Sequence, residues 1–217
     1  MHIILAGYSG LTGSYVLAQL QGRADVAKIV CVGRTPPVEK HKAEFVSIDN
    51  VKGEIGSPEA AAVICCIGTT MAKAGSKQAF EKVDHDLPVA LAKWTRQRAS
   101  KFIFMSSVGA SAVSGNFYLK TKGRTEEDVR AEFRGPVFVL RPSVLTGPRK
   151  EKRLGERIGI VGASAVSPFL AGKLAVYKPV KASDVAAAMV HLALNDGMVP
   201  NVLFYDDIIK YARRSRY

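Results

Sequence analysis

Short apolar runs alternate with amphipathic stretches along almost the whole chain. Ile3 to Ala6 is a β-branched run that ends at glycine, and from Leu11 to Leu20 apolar residues recur at helical spacing. That order predicts a buried parallel strand, a tight turn and a helix. The same reading predicts further strands at Lys28 to Gly33, Glu44 to Ile48, Ala61 to Ile67, Lys101 to Met105, Val137 to Leu140 and Val202 to Tyr205. Between them, Phe80, Val83, Leu87, Ala90, Leu91 and Trp94 trace one long helix from Gly75 to Ala99, which Pro88 either kinks or bounds. Another helix opens near Tyr118, and a third runs to Leu194 with Ser183 as its cap. Only Pro36 to Ala43 separates the second strand from the third, too few residues for a crossover helix, so this edge of the sheet is abbreviated. The expected fold class is α/β: a Rossmann-type, doubly wound, mainly parallel sheet in one domain. Residues 147–177, with a helix from Leu154 to Leu170, are expected to form a small C-terminal lid and substrate segment.

The first turn carries the strongest chemical signal. Gly7, Gly10 and Gly13 are spaced three apart, with Tyr8, Ser9, Leu11 and Thr12 between them. A turn of this kind gathers backbone N–H groups at the positive end of a helix, and missing Cβ atoms let a diphosphate approach. Glycines alone are weak evidence, since a ligand-free turn also uses them. Past the second strand, a dinucleotide fold reads the adenosine ribose with an acid, or a 2′-phosphate with an arginine. This chain places Arg34 there and no acid before Glu39, which favours NADPH over NAD; the bland alternative is a solvated loop arginine. Asp49, after the third strand, either faces the adenine or simply ends a turn. Gly68, Thr69 and Thr70 form a small polar tip after the fourth strand, suited to the ribose and diphosphate or to capping a helix.

Composition narrows the class without changing it. The chain has 217 residues, 47% of them hydrophobic, and no apolar run approaches the ~20 residues of a membrane helix. No basic segment followed by an apolar signal stretch and cleavage site opens the sequence, so a cytoplasmic location is expected. The net charge of +12 raises nucleic acid as a partner, but the cluster from Arg149 to Arg157 has no interleaved aromatics, and a solvated surface is the preferred reading. Cys31, Cys65 and Cys66 fall in apolar runs and read as small core residues. His85 reads as a surface residue, and no histidine pair has metal-ligand spacing.

Ser106 and Ser107 tip the fifth strand, and Tyr118 and Lys122 lie four apart, on one face of a helix. Carbonyl reduction by hydride builds negative charge on oxygen and needs a proton. A phenol of pKa ~10 suits this poorly, but an ammonium ~4 Å away at an effective dielectric of ~20 contributes about 4 kcal/mol, or roughly three pKa units at most. Tyr118 then serves as general acid, with Ser107 as hydrogen-bond donor to the developing oxyanion. An exposed helical Tyr/Lys pair is the alternative.

Gly7-x-x-Gly10-x-x-Gly13, the Ser106-Ser107 tip and Tyr118-x-x-x-Lys122 together resemble the extended and atypical short-chain dehydrogenase/reductases. Cys65 to Thr70, Met105 to Ser107, Tyr118 to Gly123 and Arg141 to Leu145 are similar to the NADPH-binding, HIV-Tat-interacting (metastasis-suppressor) branch, over residues 1 to about 150. The resemblance implies catalytic roles for Ser107, Tyr118 and Lys122, a second role for Lys122 on the nicotinamide ribose, and a place for Pro142, Ser143 and Val144 beside the nicotinamide. It implies either reduction of a small carbonyl or enone-like substrate or, as the alternative, a non-catalytic NADPH-sensing regulatory module with a protein partner, since that branch is known through protein partners. A homodimer is compatible with it, and no membrane is implied.

Overall fold

The computed structural model describes residues 1–52, 58–148 and 172–215. Seven strands form one sheet: β1 (His2–Ala6), β2 (Lys28–Gly33), β3 (Ala43–Ser47), β4 (Ala62–Cys65), β5 (Phe102–Met105), β6 (Val137–Leu140) and β9 (Val202–Leu203). Their order is β3-β2-β1-β4-β5-β6-β9, and every pairing is parallel. A separate two-stranded ribbon pairs β7 (Leu145–Thr146) with β8 (Val180–Lys181). This is the expected Rossmann architecture, and the order reverses between β1 and β4, where such sheets open a crevice at their carboxyl ends.

Successive strand residues point to opposite faces, so each strand serves two cores. Ile3, Leu5, Ile29, Cys31, Ile64 and Ile103 join one cluster. It is covered by α1 (Leu11–Gln21), α6 (Ala182–Leu194) and α7 (Tyr205–Arg214). Ile4, Val30, Val32, Val63, Phe102 and Phe104 join the other, under α4 (Leu87–Thr95) and α5 (Phe117–Glu132). Cys65 and Cys66 are split between the two clusters, and all three cysteines are buried and free. Burial pushes the Cys31 and Cys65 thiols up to about 12 and raises Cys66 as well, so all three remain protonated core groups.

A short helix, α2 (Met71–Ala74), comes first. The long helix expected from Gly75 to Ala99 is then observed from Lys77 to Thr95, as α3 (Lys77–Glu81), a π-helical turn (Lys82–Asp86) and α4 in unbroken succession. Proline accounts for the irregular turn: Pro88 has no N–H to give to the Asp84 carbonyl, which instead accepts from Thr125 Oγ1 at 2.9 Å. The π-turn is thereby fastened to α5, and His85 joins in, with its ring nitrogens 2.9 Å from Asp86 and 2.7 Å from Asp128. The surface placement expected for His85 is therefore corrected, since its side chain is only 16% exposed.

Two further differences concern the C-terminal part. The residue preceding α6 is Lys181, and Ser183 does not cap the helix with its side chain. Tyr205 opens α7 instead of ending a strand, because its segment places Ile208, Tyr211 and Ala212 on one buried stripe. Of the expected lid, residues 149–171 lie outside the described residues. Among the described residues no helix is long and apolar enough to cross a membrane.

Candidate active and cofactor site

The glycine turn is built by close approach. Gly7 has φ +80, and a Cβ there would sit 2.6 Å from the Cys66 carbonyl group, so β1 meets the end of β4 only through glycine. A Cβ on Gly13 would lie 2.1 Å from the Gly7 carbonyl oxygen, which lets α1 start directly against the turn. Gly10 precedes α1 in extended conformation, and its N–H donates to the Gly7 carbonyl at 3.1 Å. Ser9 is exposed and Leu11 half-buried at this mouth. Tyr8 offers only its backbone there: its buried ring packs on Gly33, and its hydroxyl donates to the Thr35 carbonyl. Thr12, in the first turn of α1, is 2% exposed. Its Oγ1 is a buried oxygen without a hydrogen-bond partner among the described residues. An unpartnered hydroxyl beside the N–H groups of a helix start fits an anionic diphosphate.

Arg34 and Asp49 are both exposed, just past β2 and β3, at the same edge of the sheet. Asp49 shares a local turn with Ser47, whose Oγ accepts from the Asp49 N–H at 3.4 Å. These two positions lie at the β2/β3 end, and Ser107, Tyr118 and Lys122 belong to the β4/β5 end. A dinucleotide laid across the carboxyl edge has to span that distance, with the glycines between.

At the second end, Lys122 is 4% exposed, and its Nζ lies 2.8 Å from Asp84 Oδ1. The other carboxylate oxygen, Asp84 Oδ2, accepts from the Thr69 N–H at 2.7 Å. A Cβ on Gly68 would stand 3.3 Å from Asp84 and 3.6 Å from Lys122 Nζ, so the polar tip after β4 rests on this ion pair. Thr70 does cap α2, accepting from the Lys73 N–H at 3.3 Å. Burial alone pulls the Lys122 ammonium down; the charge of Asp84, with smaller help from Tyr118 and Cys65, outweighs this and holds it above the ordinary lysine value. Tyr118 is half-buried, with its ring 5.7 Å from Phe80. The bare ammonium assumed from sequence is thus paired, and its field on the phenol is smaller than a lone charge would give.

Ser107 is half-buried, and its hydroxyl donates only a long bond, 3.3 Å, to the Val108 carbonyl. The Val108 N–H donates to the Pro142 carbonyl at 3.0 Å, which joins the Ser107 loop to the segment after β6. There Ser143 Oγ donates to the Lys178 carbonyl, and Val144 is exposed at 39% with its carbonyl accepting from Val180 at 3.0 Å.

Two acids that sequence reasoning passed over hold this site together. Asp84 is the first. Glu126, 1% exposed, is the second: it accepts from Ser106 Oγ at 2.5 Å and from Arg141 at 2.9 and 2.6 Å. It thereby ties α5 to the tips of β5 and β6. Helical phase carried a signal for it, since Lys122, Thr125, Glu126 and Val129 form one buried stripe of α5.

A parallel sheet of order 3-2-1-4-5-6, a glycine turn with an orphan hydroxyl, and a Tyr/Lys helix at the same edge define a nicotinamide-nucleotide-binding Rossmann protein. Comparison with known proteins agrees. The family model of the NAD dependent epimerase/dehydratase family matches residues 3–202, and the chain belongs to that family, within the extended short-chain dehydrogenase/reductases. It is 30% identical to the protein FMP52, mitochondrial, of Candida albicans, over 98% of each chain. It is 32% identical to the protein fmp52, mitochondrial, of Emericella nidulans, over 90% of this chain and 80% of that one. Human epimerase family protein SDR39U1, solved with NADPH, shares the fold with TM-score 0.63 and 15% identity, over 89% of this chain and 70% of that chain. Bordetella bronchiseptica WbmF, solved with NAD+, does so with TM-score 0.64 and 13% identity, over 99% and 77%.

One expectation is overturned here. Relatives at 30 to 32% identity are named mitochondrial, which corrects the cytoplasmic placement. That placement rested on the missing secretory pattern, and a mitochondrial address is a different one, amphipathic, arginine-rich and poor in acids.

Proposed function

We propose that this chain is an NADPH-dependent oxidoreductase that reduces a small carbonyl or enone-like substrate, and that it works in mitochondria, as the names of its relatives suggest. The observation that carries the reading is Lys122, a buried ammonium held against the Gly68–Thr69 tip one helical turn from Tyr118. The Gly7-to-Gly13 turn and the Thr12 hydroxyl would hold the diphosphate, Arg34 the 2′-phosphate, Asp49 the adenosine end, Lys122 the nicotinamide ribose, and Pro142, Ser143 and Val144 the nicotinamide face. When bound, the reduced cofactor supplies a hydride to the substrate carbon. Ser107 donates a hydrogen bond to the oxygen as its negative charge grows, and Tyr118 gives that oxygen its phenolic proton, leaving an alcohol and a phenolate that solvent reprotonates. Lys122 stabilises the phenolate while that exchange is completed.

The test is a set of small aldehydes, ketones and enones scored by loss of reduced-nicotinamide absorbance. The wild type oxidises NADPH with at least one of them, and Tyr118→Phe abolishes this while binding NADPH normally. Undiminished turnover in Tyr118→Phe would overturn the mechanism.

A further inference from the structure

A buried ammonium is costly unless it is paired, and lysines without a partner lose their proton well below their ordinary pKa. Lys122 is such a group, with only 5% of its side chain exposed. From β4 it is faced by the Cys65 thiol, from β5 by the Phe104 ring 5.5 Å away, from its own helix by Tyr118, and from the strand tip by uncharged Gly68. Among the described residues, the one carboxylate that reaches it is Asp84, on the π-turn, 2.8 Å away and 1% exposed. The neighbouring charges are engaged elsewhere: His85 with Asp86 and Asp128, and Glu81 with Arg124 at 3.3 Å.

The Asp84 carboxylate is itself aimed by three contacts. Oδ2 accepts from the Thr69 N–H at 2.7 Å, Oδ1 faces the ammonium, and the Asp84 backbone carbonyl is pinned by Thr125 Oγ1 at 2.9 Å. One acid therefore fixes the strand tip, the lysine and the helix that carries the lysine. Single π-turns inside α-helices are frequent at functional sites.

We propose that Asp84 is the positioning residue of the cofactor site, keeping the Lys122 ammonium charged and aimed at the Gly68–Thr69 tip where the nicotinamide ribose is held. The inference rests on the cofactor reading above, and it goes beyond it by assigning the charge that keeps Lys122 competent to an acid outside the Ser/Tyr/Lys group. Asp84 acts through Lys122 and touches no reacting atom.

The experiment titrates NADPH and NADH into the wild type, Asp84→Asn, Lys122→Met and the double variant, by nicotinamide fluorescence. Asparagine still accepts the Thr69 N–H, so the variant removes the charge and spares the local fold. Wild-type affinity stays level between about pH 7 and about pH 9, whereas Asp84→Asn weakens about tenfold further across that range as its unpaired lysine loses the proton. Lys122→Met and the double variant bind weakly and with no such slope. Should Asp84→Asn not fold, the labelled Lys122 side-chain resonance of the wild type is the readout: it stays at its ammonium position to above about pH 10. A Lys122 resonance that titrates below that, or Asp84→Asn binding that is level and equal to wild type, overturns the role of Asp84 and leaves the cofactor reading intact. Failure of the wild type to bind either nucleotide at any pH overturns both.

Discussion

Replacing Glu126 with alanine tests whether the two acids hold the site as described. Its carboxylate is 1% exposed and accepts two bonds from Arg141, at 2.9 and 2.6 Å, and one from Ser106, at 2.5 Å. The Arg141 side chain is itself only 22% exposed, so alanine strands a largely buried guanidinium and a buried hydroxyl together. Breaking a buried pair from one side costs about 3–5 kcal/mol, because the remaining charge keeps its desolvation penalty. The more distant Arg130, 3.7 Å away and 36% exposed, contributes little to this. For a chain of this size each kcal/mol moves the melting temperature by about 2–4 °C, so Glu126→Ala should melt roughly 6–20 °C below the wild type. Urea unfolding of Glu126→Ala, Arg141→Met and the double variant gives the coupling: removing both charges should recover much of the loss, as apolar replacements of buried pairs often do. A loss under about 1 kcal/mol for Glu126→Ala, or a double variant equal to the sum of the singles, would refute the claim that this network ties α5 to β5 and β6.

Other perturbations follow from named contacts. Gly33→Ala would set a Cβ 2.8 Å from the Tyr8 ring, which cannot retreat while its hydroxyl is bonded to Thr35, so a loss of about 1–3 kcal/mol is expected in unfolding, relieved when Tyr8 is also made smaller; a neutral Gly33→Ala would contradict the packing. His191 stacks on Tyr211 at 5.5 Å, and burial, then the charges of Arg214 and Arg23, holds its pKa below the ordinary 6.5. A histidine depressed in the folded state contributes stability that is complete above the unfolded value and is lost as pH falls through the folded one. Stability should therefore decline on acidification below about pH 6.5, and His191→Gln should flatten that part of the curve, measured as denaturation midpoint against pH; an unchanged slope would sink the assignment.

The sheet was legible because each central strand is buried on both faces and so appears as an unbroken apolar run, as at Ile3 to Ala6 and Val137 to Leu140. The glycine turn was legible for a related reason: Gly7 and Gly13 stand where a Cβ would strike backbone, and only one residue type meets that demand. Asp84 was illegible in a segment that reads Val83-Asp84-His85-Asp86, where acids suggest solvent. The π-turn that swings it inward depends on the missing N–H of Pro88 and on Thr125, a residue 41 positions away. Glu126 was hidden in the same way, among Arg124, Glu127 and Asp128 on a helix of low hydropathy, and its burial follows from Arg141 arriving with β6. α7 was missed because its basic positions, Lys210, Arg213 and Arg214, drew attention from the buried stripe behind them. What sequence lacked in each case was a partner supplied by another element.

Calorimetric titration of the wild type and Arg34→Ala with NADPH and with NADH decides whether the cofactor is held through its 2′-phosphate. The wild type should bind both and prefer NADPH, and Arg34→Ala should lose about tenfold or more for NADPH while barely changing for NADH, the worth of a charge-assisted contact to the 2′-phosphate. Equal losses for the two nucleotides would contradict the phosphate assignment, and no heat of binding with either would contradict a nicotinamide-nucleotide site at this sheet edge.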